Sequence, residues 1–401
     1  MSYRDVASKP VFVWAAVSVG ARMPVAMAPL ALVFLVRERP GGYSLGAMLA
    51  AAYVIGEIVG APLLGLRMRA ERARRPLAVG LALGALCFGA LGALPHAHPV
   101  ALAALAFGAG AAPAAAPGAL RALLTSVVPD RAVAQALSTE SMLTFAIWAV
   151  APAAATGLAL GAAPNLPLLL AAALMAASVA GLWLLPAGWT ADAADRGGES
   201  MVRLLLRAWP VFVTGAASLS MLALAELVLP ALLEQRGIEV GWAGPLLAGL
   251  AIGSGVGSFV YGLRGWPGRL RTQSLVMMLT VSGCVALVSV LPSAVLMAAV
   301  LAVAGFFQAG AMLTRNLMLR EILPPSALAA GYSVMYAAVG AGYAASGSLA
   351  GALLNAVAPS TAILAGVGLS LVLTVVGAVA EVRPVPKCAP YGDRVLHKSA
   401  S

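Results

Sequence analysis

Apolar runs of about 20 residues, long enough to cross a hydrocarbon core of about 30 Å, recur from one end of this 401-residue chain to the other. Few folds are open to such a sequence. Inside lipid no water satisfies backbone N–H and C=O groups, so each run must close its own hydrogen bonds as a helix. Twelve runs stand out, at 11–36, 44–66, 77–94, 100–122, 133–157, 166–185, 208–233, 243–263, 273–291, 294–317, 327–353 and 360–380. With 61% hydrophobic and only 10% charged residues, the chain reads as an all-α integral membrane protein. The first run is too long for the core of a secretion signal and has no convincing cleavage site, so it is read as a retained span.

The chain is also written twice. Pro10-Val11-Phe12-Val13 returns as Pro210-Val211-Phe212-Val213. Ala52, Gly56, Gly60, Gly65, Leu66, Arg67 and Cys87 meet Gly249, Gly253, Gly257, Gly262, Leu263, Arg264 and Cys284 at one constant offset. Pro129, Ala132, Ala134 and Ser138 then match Pro324, Ala327, Ala329 and Ser333. An old duplication with small loop changes explains the slight drift. It predicts two six-helix bundles, residues 1–185 and 208–380, joined by a polar linker at 186–207 and followed by a disordered tail at 381–401.

Basic residues fix an orientation. Arg4, Lys9, Arg67, Arg69, Arg72, Arg74, Arg75, Arg131, Arg196, Arg203, Arg207, Arg264, Arg269, Arg271, Arg320, Arg383, Lys387, Arg394 and Lys398 fall on the side that holds both termini, against Arg37, Arg39 and Arg236 opposite. By the positive-inside rule the termini are cytoplasmic. The formal charge of +10 is then a topology signal that suits an anionic inner leaflet, and it calls for no nucleic-acid partner. The Arg-over-Lys bias and abundant Ala point to a GC-rich bacterial source, hence a bacterial cytoplasmic membrane. Cys87, Cys284 and Cys388 have neither metal-ligand nor disulfide spacing, His96 and His98 lack acid neighbours and His397 lies in the tail, so no metal or cofactor is expected. No Gly-x-x-x-x-Gly-Lys loop for ATP appears, and a membrane enzyme would need a cluster of catalytic groups that is missing.

Six plus six spans, a long central loop and inside termini resemble the major facilitator superfamily over almost the whole chain. After its second span that family carries Gly-x-x-x-Asp-Arg-x-Gly-Arg-Arg; here Gly65 opens the pattern and Arg74-Arg75 close it, with Arg69 in the acid's place and Glu71 as a displaced acid. These five are the gating-loop candidates. The fifth span keeps Pro152 of the family's drug–proton antiporter signature, with Ile147, Ala151, Ala155 and Thr156 at its glycine positions. The resemblance implies a monomeric secondary transporter of the efflux type, with spans one, two, four, five, seven, eight, ten and eleven around a central cavity. The expected partners are a small-molecule substrate, protons and membrane lipid.

Charged side chains within apolar runs are disfavoured by roughly 2.5–3.5 kcal/mol at a helix centre even on the gentler scales, so they face protein or water. Arg22, Glu57, Glu140 and Glu226 are such residues, all on spans that the resemblance makes cavity-lining. Arg22 either pairs with Glu140 or binds an anionic or polar group of the substrate. Arg121 reads as an interfacial anchor or domain-contact residue able to snorkel, and Arg315 likewise. Glu226 has no charged counterpart in the first half and no basic neighbour in its own run. Because desolvation penalises a lone carboxylate, Glu226 leads as proton-coupling candidate, with Glu57 second. Gly56, Gly60, Gly249, Gly253 and Gly257 read first as close-packing positions and second as places where helices slide. Tyr332, Tyr336 and Tyr343 share one helical stripe. It serves either as packing or as one wall of a cavity whose other candidate faces are Tyr53, Trp148, Phe306, Phe307 and Gln308. Such a cavity suits a partly apolar molecule, a drug or natural product exported against protons. A metabolite importer or uniporter of the same fold, and a transport-inactive sensor or scaffold, are the alternatives.

Overall fold

The computed structural model describes residues 6–40, 42–67, 73–185 and 199–381. Twelve helices in it are long and apolar enough to span a membrane: α1 (Lys9–Val36), α2 (Gly42–Arg67), α3 (Arg74–Ala93), α4 (Pro99–Val127), α5 (Asp130–Gly161), α6 (Leu166–Leu184), α7 (Trp209–Gln235), α8 (Val240–Leu263), α9 (Leu270–Val288), α10 (Ala294–Ile322), α11 (Pro325–Ala356) and α12 (Pro359–Glu381). The repeated tetrapeptide has a local cause. Pro10 and Pro210 occupy the first turn of α1 and α7, where the missing N–H costs no bond and the fixed φ suits the helix.

The duplication of sequence is also a duplication of packing. In the first bundle α1 lies on α5 and α6, α2 on α4, and α3 on α4 and α6. Six helices later, α7 lies on α11 and α12, α8 on α10, and α9 on α10 and α12. The repeated glycines explain the tightest of these crossings. A Cβ on Gly56 or Gly60 would strike the carbonyls of Phe107 or Ala111 on α4, and one on Gly253 or Gly257 those of Ala302 or Phe306 on α10. Backbones therefore touch within each bundle, which gives these positions their packing role. Large apolar side chains such as Leu86, Ile252 and Val372 are exposed on the outside, as a lipid-facing surface requires.

Two elements differ from the sequence reading. The helix of α4 breaks after Ala111 and resumes at Ala116. Pro113 lies in the break and Pro117 in the first turn of the second half, where a proline ring no longer clashes with a preceding turn. Glu381 is the last residue of α12 rather than the first of a tail, because its carboxylate pairs with Arg315 Nη1 at 2.7 Å. The remainder of the tail, and linker residues 186–198, lie outside the described residues; residues 201–207 of the linker form a short helix.

The bundles meet through α5 on α8, α2 on α11, and the second half of α4 on α11. Their named contacts gather toward the end where α1 begins and α12 stops, called here the basic end. Ser138 Oγ on α5 donates to the Ser258 carbonyl on α8. Gly65 and Gly118 both press on Ser333 of α11. Arg320 reaches Asp130 at 2.5 Å at the rim, where the Asp130 side chain is 93% exposed. A pair so open to water contributes little, so Arg320→Ala is expected to shift stability by less than about 1 kcal/mol, as thermal unfolding in detergent would show.

Candidate functional site

Arg22 and Glu140 are brought together by the packing of α1 on α5. Arg22 Nη1 donates to Glu140 Oε1 at 2.7 Å, and Arg22 Nη2 donates to Thr144 Oγ1 at 2.7 Å. Thr144 stands one turn beyond Glu140 and donates to its carbonyl at 2.8 Å, so one face of α5 supplies both acceptors. Arg121, carried on the second half of α4, donates to the same Glu140 Oε1 at 2.8 Å. Its other arm donates to Asn316 Oδ1 of α10 at 3.3 Å, across the boundary between bundles. Arg121 therefore points inward instead of snorkelling: a buried carboxylate offers a charged partner, and its side chain is only 11% exposed. Two buried guanidiniums thus share one oxygen of one acid. Among the described residues, Glu140 Oε2, Arg121 Nε and Asn316 Nδ2 find no hydrogen-bond partner.

The tyrosine stripe of α11 divides by depth. Tyr332 is fully buried, donates to the Asn316 carbonyl at 3.3 Å, and carries the Arg121 guanidinium 5.6 Å from its ring centre. Tyr336 donates to Glu57 Oε1 on α2 at 2.8 Å, a bond between bundles. Tyr343 is 43% exposed. Between α1, α4, α5 and α11 a narrow cleft remains, lined by Arg22, Val25, Pro117, Thr144, Trp148 and Tyr336. Trp148 stands at its edge, with 52% of the residue exposed.

Across 92% of its length the chain superposes on the fucose:proton symporter of E. coli, 98% of which is covered, at TM-score 0.71 and 13% identity. A bacterial homologue of the iron transporter ferroportin, in an outward-facing state with soaked iron, matches at TM-score 0.69 and 15% identity over 92% of this chain and 97% of that one. The human organic anion transporter MFSD10 matches at 0.66 and 14% over 92% and 98%. The chain has the major facilitator fold. No protein-family model and no curated relative matches the sequence.

Within the major facilitator fold the other candidates fall in several places. Tyr53 is buried in the first bundle against Phe88 of α3, ring centres 6.1 Å apart, away from the cleft lining. Gln308 accepts from Ser218 Oγ at 2.9 Å inside the second bundle, and Phe306 meets Phe307 edge-on at 5.3 Å. Glu226 lies apart from the Arg22 cleft, in an apolar hollow of the second bundle formed by Leu222, Leu229, Leu247, Val285 and Leu301 among others. Arg315 turns into its own bundle, toward Glu381 and the Met278 sulfur, the latter at 3.4 Å. Of the gating-loop candidates, Gly65 contacts the opposite bundle, a Cβ there coming within 2.7 Å of Ser333 Cβ. Arg74 stacks 5.5 Å from the centre of the Trp183 ring and donates to the Leu185 carbonyl, bracing α3 on α6. Arg75 is exposed, and Arg69 and Glu71 lie outside the described residues. Thr144 and Asn316 escaped the sequence reading. A hydroxyl or amide in an apolar run is a weaker signal than a charge, although Asn316 directly after Arg315 marked the place. Among the described residues no group of three or more His, Cys, Asp or Glu is placed to hold a metal.

Proposed function

We propose that the protein is a monomeric secondary transporter of the bacterial cytoplasmic membrane, exporting a small, partly apolar molecule in exchange for protons by alternating access. The observation that carries this reading is the cleft itself: two repeat-related bundles close against one another at the basic end and hold buried charges and a half-exposed Trp148 just beyond the closure. The positive-inside rule makes the basic end cytoplasmic, so we read this conformation as closed toward the cytoplasm. The matched outward-facing ferroportin homologue fits that assignment.

Proton coupling needs an acid whose ionisation alters a contact between bundles. Glu57 has that position through Tyr336, whereas Glu226 is held within one bundle and acts as the second candidate. A membrane potential supplies about 2.3 kcal/mol per charge per 100 mV, enough for one proton to drive useful accumulation. Inside-out vesicles with an acid interior and a pH-sensitive dye test both points as drugs and metabolites are added. Export predicts that a transported compound collapses the gradient only where the protein is present, and that Glu57→Gln abolishes the collapse while solute still exchanges. Proton release that persists in Glu57→Gln and stops in Glu226→Gln moves the coupling site to α7. Accumulation only in right-side-out vesicles makes the protein an importer.

A further inference from the structure

We propose that the Arg22 cleft receives the anionic group, a carboxylate or a similar singly charged acid, of a substrate whose body is apolar or aromatic. The inference rests on the transport reading above and names its substrate class. Arg22 and Arg121 both bond to Glu140 Oε1, and no other ion pair reaches either of them among the described residues. Glu57 accepts from the Tyr336 hydroxyl instead and pairs with neither guanidinium. One positive charge therefore stays uncompensated where water is scarce, and burial of an unbalanced charge is costly until a counter-ion arrives.

Placement identifies which arginine receives that counter-ion. Arg121 lies over the Tyr332 ring and is held by Asn316 in the closed interface. Arg22 lines the cleft. Its planar fork is suited to acid groups, and among the described residues its second arm is held only by the neutral hydroxyl of Thr144, which an anion outcompetes because charge-assisted bonds are the stronger kind. Val25, Pro117, Ile147 and the Trp148 indole supply the apolar part of the wall, beside the Tyr336 ring, a surface for an apolar or aromatic body. A cationic substrate meets the opposite field at the same place.

Three naphthalene probes of nearly equal size test the assignment on the full chain in lipid nanodiscs at neutral pH: 2-naphthoate, 2-naphthamide and 2-naphthylmethylammonium, with binding read by calorimetry. Naphthoate is expected to bind at least about tenfold tighter than the amide, or about 1.4 kcal/mol. That preference should vanish in Arg22→Gln and return in Arg22→Lys. Thermal unfolding of Arg22→Gln within a few degrees of the parent in the same nanodiscs shows that the variant is folded. Equal or tighter binding of the amide or the ammonium, binding of none of the three, or a preference that survives Arg22→Gln overturns the assignment. Each of those results leaves the transport reading intact, since the vesicle assay also detects neutral and cationic solutes. Absence of flux for every solute removes transport while leaving anion binding measurable.

Discussion

Glu140→Gln is expected to be the most damaging single substitution in the first bundle. It removes the one acid shared by Arg22 and Arg121 and leaves two guanidiniums buried without a counter-charge, a loss of about 3–5 kcal/mol for a broken buried pair. Arg22→Gln keeps Arg121 and Glu140 as a one-to-one pair and removes the surplus buried cation, which offsets the two hydrogen bonds it loses, so its net cost is expected to stay below about 1 kcal/mol. Thermal unfolding of both variants in the same detergent checks the ordering. Equal stability of the two would mean that Glu140 does not hold the network together. The double variant Arg22→Gln, Glu140→Gln should recover part of the loss, because only one cation is then left unpaired.

Gly118→Val is expected to keep the bundles from closing at the basic end. Gly118 sits against the backbone and hydroxyl of Ser333 with no room for a Cβ, and in a close-packed contact between helix backbones the nearest relief is separation of the helices. A cysteine placed at Ser138, buried at the α5–α8 contact, reports the change. In an otherwise cysteine-free chain its alkylation from the basic side should quicken by at least about tenfold, equivalent to a population shift of about 1.4 kcal/mol. Gly157→Val, where a Cβ meets nothing within 4 Å, is the matched control and should leave the rate unchanged.

Much of the architecture was legible because lipid restricts the choices. Twelve apolar runs had to be helices, and the constant offset from Ala52 to Cys87 and from Gly249 to Cys284 announced the equivalence later seen as α2 on α4 and α8 on α10. Charges in apolar runs, Arg22 and Glu140 among them, stood out for the same reason. What lies opposite a residue across the two bundles was not legible. Tyr332, Tyr336 and Tyr343 share a face, but a helical stripe says nothing of depth: the first two meet Asn316 and Glu57, residues 16 and 279 positions away, and the third is half-exposed. Arg121 makes the domain contact that was one of its two readings, through Asn316, but it does not snorkel, because the break in α4 places it beside the buried carboxylate of Glu140. That break had no clear signature, since prolines such as Pro152 also sit inside unbroken spans. Glu381 looked like the start of a polar tail until Arg315 gave it a buried partner.

Distances measured at both ends of the molecule at once decide whether the bundles rock. Spin labels at Ser126 and Glu321 report the basic end and labels at Gly161 and Gly241 the far end, all four positions being exposed, with Cys87, Cys284 and Cys388 replaced. Double electron–electron resonance in nanodiscs, across a pH series with and without a transported solute, should show two populations. In the one where the basic-end pair lengthens, the far-end pair should shorten. A single fixed distance for each pair under every condition would contradict alternating access and leave a rigid membrane scaffold.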